Sequence, residues 1–185
     1  MDRFAVIDIE TNWNSEIMSI GVVVANSETK EQLDSIYYVI APEYEVGGIF
    51  SWSLNLGEKN TCVASKEEAL RKIKNWLNTY NVQKLFAYNA TFDKRNLPEY
   101  SDYEWYDIMR LAAYRQYNRA IPDSAEVCQT GRLKRGYSVE NIMRLLSKNN
   151  YYCETHNAVL DAQDELKIIQ LLGHDIQEYN IARIV

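Results

Sequence analysis

The chain has 185 residues, with 26 Asp and Glu against 20 Lys and Arg, a formal net charge of −6 and a pI near 5.0. That length suits one domain with a core of its own, and 46% hydrophobic with 25% charged residues is ordinary globular composition. The acidity excludes a protein that grips nucleic acid through a broadly basic face, and the longest apolar run near the N-terminus, residues 20–25, is far too short to span a membrane.

Residues 4–10 alternate around β-branched side chains and read as a first strand, followed by 17–25 and 33–41 across short polar connections. Three such strands predict an antiparallel meander. An irregular stretch, 42–62, comes next. Ser65 and Glu68 then have capping-box spacing, and Ala69, Leu70, Ile73, Trp76, Leu77 and Tyr80 share one helical face. Residues 82–88 form a mostly apolar fourth strand, expected to be central. Helical spacing is predicted over 107–117, a polar loop over 118–136, a helix capped by Ser138 to about 147, and a last helix over 157–172 stopped by Gly173. The order predicts a single-domain α/β fold, a mixed β-sheet flanked by helices over 1–185, with 174–185 as a short C-terminal tail. Met1-Asp2-Arg3 opens no secretory-signal pattern. Cys62, Cys128 and Cys153 are widely spaced and odd in number, so a reducing, cytoplasmic location without a membrane partner is expected.

Asp8 and Glu10 stand two apart in a strand, so their carboxylates project from one face and repel each other. Either a divalent cation offsets that repulsion, or the strand end emerges into solvent. Asp93 follows the fourth strand, where α/β sheets bind ligands, although an acid also suits a first helical turn for its dipole alone. His156 and Asp161 are five apart, about 140° out of alignment on a helix. Both reach one site if His156 lies in the loop before the helix and Asp161 on its second turn; the plainer alternative is a capping or surface histidine.

Taken in order, FAVIDIET (4–11), FAYNATFD (86–93) and HNAVLDA (156–162) resemble the DEDDh 3′–5′ exonuclease superfamily, the group of ribonuclease T and the proofreading subunit of bacterial DNA polymerase III. YDIMRLA (106–112) and GYSVENIMRLL (136–146) add to the likeness. The resemblance implies a ribonuclease H-like fold and hydrolysis of single-stranded DNA or RNA from the 3′ end, releasing nucleoside 5′-monophosphates. It implies two divalent cations, Mg²⁺ or Mn²⁺, held by Asp8, Glu10, Asp93 and Asp161, with His156 as general base. Thr11, Asn89 and Phe92 are the implied substrate contacts. A second reading, motivated by the proofreading relatives, is an accessory subunit acting through a polymerase or other replication partner; homodimers also occur among relatives of this size.

Two departures stand out. Tyr88 occupies a position where many relatives have His. The stretch 42–62 does not align with the short Gly-Ile-Thr-like motif whose apolar residue wedges against the terminal base, which leaves Trp52, Leu54 and Leu56 as candidate wedges. Arg132, Lys134 and Arg135 form a basic cluster, and Lys94 and Arg95 follow Asp93; both groups suit phosphates and equally suit a solvated turn. Removing the four implied metal ligands leaves −2 on the rest of the chain, so the acidity speaks against gripping a duplex rather than against a strand end as substrate.

Overall fold

The computed structural model describes residues 2–55, 57 and 61–185; Leu56 lies outside them. Strands β1 (Arg3–Thr11), β2 (Ile17–Asn26) and β3 (Gln32–Ile40) form the expected antiparallel meander. The apolar runs of β1 and β2 are buried on both faces of the sheet, whereas β3 is buried only in its second half. Helix α1 (Lys66–Thr79) starts where Ser65 accepts from the Glu68 amide, and β5 (Lys84–Ala87) then pairs parallel to β1. The seven-stranded sheet has the order β4-β3-β2-β1-β5-β6-β7, with β4 spanning Cys62–Ala64, β6 Glu104–Asp107 and β7 Arg183–Ile184. It is the mixed, helix-flanked sheet expected from the sequence.

Strand alternation sorts β1 between two cores. Ala5, Ile7 and Ile9 pack in the layer containing Leu70, Ile73 and Leu77 of α1. Phe4 and Val6 face the other layer, with Ile142 of α4 (Val139–Ser147) and Ala158, Ala162 and Leu166 of α5 (Ala158–Leu172). Asp8 and Glu10 continue the parity of Phe4 and Val6, so the strand's period aims both acids toward α5.

Two expectations are corrected. Residues 107–117 are not one helix: Asp107 ends β6, and α3 covers only Met109–Ala112. Trp105 and Tyr106, aromatic and fully or nearly buried, pair with Leu85 and Phe86 of β5, so tertiary burial overrides the helical spacing. Beyond α3, Asn118 Nδ2 donates to the Ala112 carbonyl and the Leu133 amide to that of Ala113, and these bonds replace helix continuation. Residues 174–185 are not a free tail. Asp175 and Glu178 close a capping box on a 3₁₀ helix, Ile176–Ala182, whose Tyr179 is fully buried, and β7 pairs with β6.

Candidate active site

The site lies where β1, the turn after β5 and the start of α5 meet. β1 supplies Asp8 and Glu10, just before a register shift between Glu10 and Thr11 in its pairing with β2. Gly21 of β2 sits opposite Asp8, and a Cβ there would lie 2.1 Å from the Val159 amide nitrogen and 2.2 Å from the Ala158 carbonyl carbon. The N-terminal backbone of α5 therefore rests directly on β2, which no side chain at position 21 permits.

Asn157 caps α5. Its side-chain oxygen accepts from the Val159 and Leu160 amides at 3.3 and 3.4 Å, while its Nδ2 donates to Tyr37 Oη at 3.1 Å and the Ser53 carbonyl at 2.7 Å. Asp161 falls in the first turn of the helix, not the second, its amide bonded to the Asn157 carbonyl. His156 precedes the cap, as expected, with a φ of 56°; the Ser53 hydroxyl donates to its carbonyl, and Phe50 stacks on its ring with centroids 3.7 Å apart. One donor atom each from Glu10, His156 and Asp161 lie within 4.8 Å of one another.

After β5, Tyr88 and Asn89 lead into α2 (Thr91–Asn96), which carries the buried Asp93. Two acids hold this turn by its backbone. Glu165, one helical turn beyond Asp161, accepts from the Tyr88 amide at 3.0 Å, and Asp107 Oδ1 accepts from the amides of Asn89 at 2.9 Å and Met109 at 3.0 Å. Both are buried. Sequence reading missed them: Asp107 was hidden by the helix expected over 107–117, and Glu165 sits in a polar-looking DAQDE run. Its spacing of four from Asp161, which puts both acids on one helical face, was the available signal.

Burial dominates the electrostatics. It pushes the Asp93 carboxyl up to about 8, against opposing hydrogen bonds from backbone amides. Burial, then Glu154, raises Glu10 to about 8; burial, with Glu154 and Glu10, does the same to Asp161. Asp8 is held well above its ordinary value by burial, then by Glu165, Asp93, Glu10 and Asp161. Burial lowers the His156 imidazole, with Glu140 opposing. None of the four tetrad acids forms an ion pair among the described residues. Asp8 Oδ2, Asp93 Oδ1 and Asp161 Oδ1 are buried without any hydrogen-bond partner. Orphaned carboxylate oxygens, on buried acids close enough to disfavour one another's charged forms, fit a divalent cation, and an oxygen-dominated donor set fits Mg²⁺ or Mn²⁺.

The remaining residues singled out in the sequence divide. Asn89 and Phe92 are exposed beside the acids, Asn89 with a φ of 59°, and Thr11 follows Glu10 at the strand end. Leu54 is a core residue and no wedge, since it is 6% exposed and its carbonyl accepts from Tyr37 Oη. Trp52 is 72% exposed, and Trp13 and Ile49, which the sequence did not single out, are 66% and 64% exposed. Lys94 donates to the Ile184 carbonyl at 3.3 Å and so ties α2 to β7. His174 bonds to the Tyr117 carbonyl and to Glu178, away from the acids.

Sheet order and layer arrangement are those of the ribonuclease H-like fold. Within it, the chain has the fold of the DEDDh 3′–5′ exonucleases. The nuclease domain of 3′hExo, a DEDDh family member bound to rAMP, superposes with a TM-score of 0.62 at 18% identity, over 91% of this chain and 90% of that one. A 3′-exonuclease solved in a study of 3′-end recognition of the histone mRNA stem-loop gives 0.63 at 16% identity, over 91% and 80%. E. coli exonuclease I, in complex with an oligonucleotide, gives 0.64 at 10% identity over 97% of this chain but only 42% of its own length. No family model and no curated protein matches the sequence. Among the described residues, no helix is long and apolar enough to cross a membrane.

Proposed function

We propose that this protein is a metal-dependent 3′–5′ exonuclease of the DEDDh superfamily that removes nucleoside 5′-monophosphates from single-stranded DNA or RNA. The observation that carries the reading is the set of three orphaned carboxylate oxygens on Asp8, Asp93 and Asp161, beside Glu10 and His156. The four acids would hold two divalent cations, which supply charge stabilisation at the scissile phosphate and an acidified water. His156 takes the proton of the attacking water; its ordinary pKa lies near neutrality, and burial lowers it further, which keeps the ring an acceptor at working pH. Phe50 fixes the plane of that ring, and Asn157 holds the backbone next to it. Asp107 and Glu165 orient the turn that presents Asn89 and Asp93. Thr11, Asn89 and Phe92 border the acids and contact the terminal nucleotide.

The test is digestion of 5′-labelled single-stranded DNA and RNA with Mg²⁺ or Mn²⁺, with and without chelator. A ladder shortening from the 3′ end and abolished by chelator is expected. Failure of folded protein to cut either polymer refutes the reading. His156→Ala keeps metal binding and loses turnover; full activity in that variant removes His156 from the chemistry.

A further inference from the structure

The net charge of −6 is unevenly spread. Residues 110–137 hold six Arg and Lys against two Asp and Glu, a local net charge of +4. Two of those cations lie over aromatic rings. Arg110 Cζ lies 6.0 Å from the Tyr114 ring centroid, Tyr114 bridges Arg132 through the backbone, and Arg132 Cζ lies 4.9 Å over the Tyr137 ring. The stripe reaches the site: the Tyr137 carbonyl accepts from the Tyr88 hydroxyl, and Tyr88 adjoins Asn89. Lys134 and Arg135 are exposed, Tyr137 is 38% exposed, and Arg132, Lys134 and Arg135 form no ion pair among the described residues.

Cations left without carboxylates, in a chain with an excess of carboxylates, mark a surface kept for an anionic partner. Rings alternating with guanidinium groups suit a strand whose phosphates and unpaired bases both need contacts; a compact anion needs only the charges. We propose that Arg110, Tyr114, Arg132 and Tyr137, flanked by Lys134 and Arg135, form a track for single-stranded nucleic acid on the 5′ side of the scissile phosphate. This rests on the exonuclease reading for its direction. The track binds phosphates through Arg132, Lys134 and Arg135 and stacks a base on Tyr137.

The experiment compares a labelled single-stranded oligonucleotide of about twelve residues, within the usual site sizes, with a dinucleotide. Anisotropy is measured in chelator across a salt series, and kcat/KM with Mg²⁺. Three phosphate contacts to a single strand give a log–log salt slope of about −2, roughly a 20-fold loss between 50 and 200 mM salt. R132Q/K134Q/R135Q is expected to lose that slope, to bind the longer strand about tenfold or more weakly, and to lose most of the preference for length in kcat/KM. K134Q/R135Q, which removes only exposed side chains, is expected to lose about two-thirds of the slope and covers any failure of the triple variant to fold. Wild-type-like binding by either folded variant overturns the track, as does equal loss on both substrate lengths. If the wild type binds with this slope yet never cleaves, the track stands and the exonuclease reading falls. If it cleaves while the variants bind normally, the reverse holds.

Discussion

Asp8→Asn isolates what the acid cluster does to the metal-free protein. Asp8 is buried, one of its oxygens has no partner, and Glu165, Asp93, Glu10 and Asp161 all repel its charged form. Its folded pKa is raised above the unfolded value of 3.8, so the native state binds this proton more tightly. The stability this contributes is fully present below the unfolded pKa and is lost as pH rises through the folded one. Near pH 8 without metal, the wild type either retains the proton at an unfavourable pH or buries a repelled anion. The amide keeps the shape, removes the charge and offers its neighbours a donor.

Relieving one buried, unsatisfied polar group is worth about 1–3 kcal/mol. At about 2–4 °C per kcal/mol for a domain of this size, Asp8→Asn raises the Tm by roughly 2–12 °C. Calorimetry in chelator near pH 8 measures it. Near pH 4 the gain shrinks, because the wild-type carboxyl is protonated as well. Adding Mg²⁺ or Mn²⁺ near pH 8 raises the wild-type Tm and moves the variant less. A variant with a native circular-dichroism spectrum that is no more stable than wild type in chelator near pH 8 refutes the argument.

Three other expectations follow from the supports of the site. Gly21→Ala drives a methyl into the α5 backbone at 2.1 Å, so a loss of about 3 kcal/mol, the upper end for overpacking, is expected in denaturant unfolding; a neutral result refutes the close approach. Arg144 and Glu140 pair at 2.8 Å and hold the loop before His156, Arg144 Nε donating to the Tyr152 carbonyl at 2.8 Å and Glu140 accepting from the Glu154 amide at 3.2 Å. Glu140→Ala is therefore expected to lower kcat about tenfold, or 1.4 kcal/mol, at little change in KM, with Glu140→Gln restoring most of it; a KM effect alone contradicts a positioning role. Phe50→Ala frees the His156 ring and lowers kcat on all substrate lengths alike, read by steady-state kinetics.

What could be read in the sequence followed from periodicity and order. Asp8 and Glu10 stood out because strand alternation leaves two repelling acids on a face that should be apolar, and His156 and Asp161 because a helix start follows the histidine. Tertiary contacts carry no such local signal. Gly21 looks like any glycine in a strand until α5 lies on it. Asp107 ends a strand of four residues, too short to outweigh the helical spacing after it. Glu165 resembles a solvated acid because the backbone amide it accepts from, Tyr88, is 77 positions away. In 42–55, 3₁₀ turns and side-chain bonds such as Ser51 Oγ to the Gly48 carbonyl replace any period, so which apolar residue is buried there depends on what packs over it.

Under the proposed function, the distribution of charge reconciles an acidic chain with a polyanionic substrate. A tetrad with raised pKa values can face phosphate only if its charge is neutralised, and two divalent cations would match its four formal charges. Asp107 and Glu165 are acids of another kind, tied to backbone amides and occupied in holding the turn. The cations in 110–137 are few enough that, on the proposed reading, net attraction for nucleic acid stays local. A duplex-gripping protein with six to ten phosphate contacts loses about 10³–10⁵ in affinity between 50 and 200 mM salt, whereas three contacts to a single strand lose only about 20-fold. On the proposed exonuclease reading the smaller number is an advantage, because each advance along the strand breaks and remakes the same few contacts.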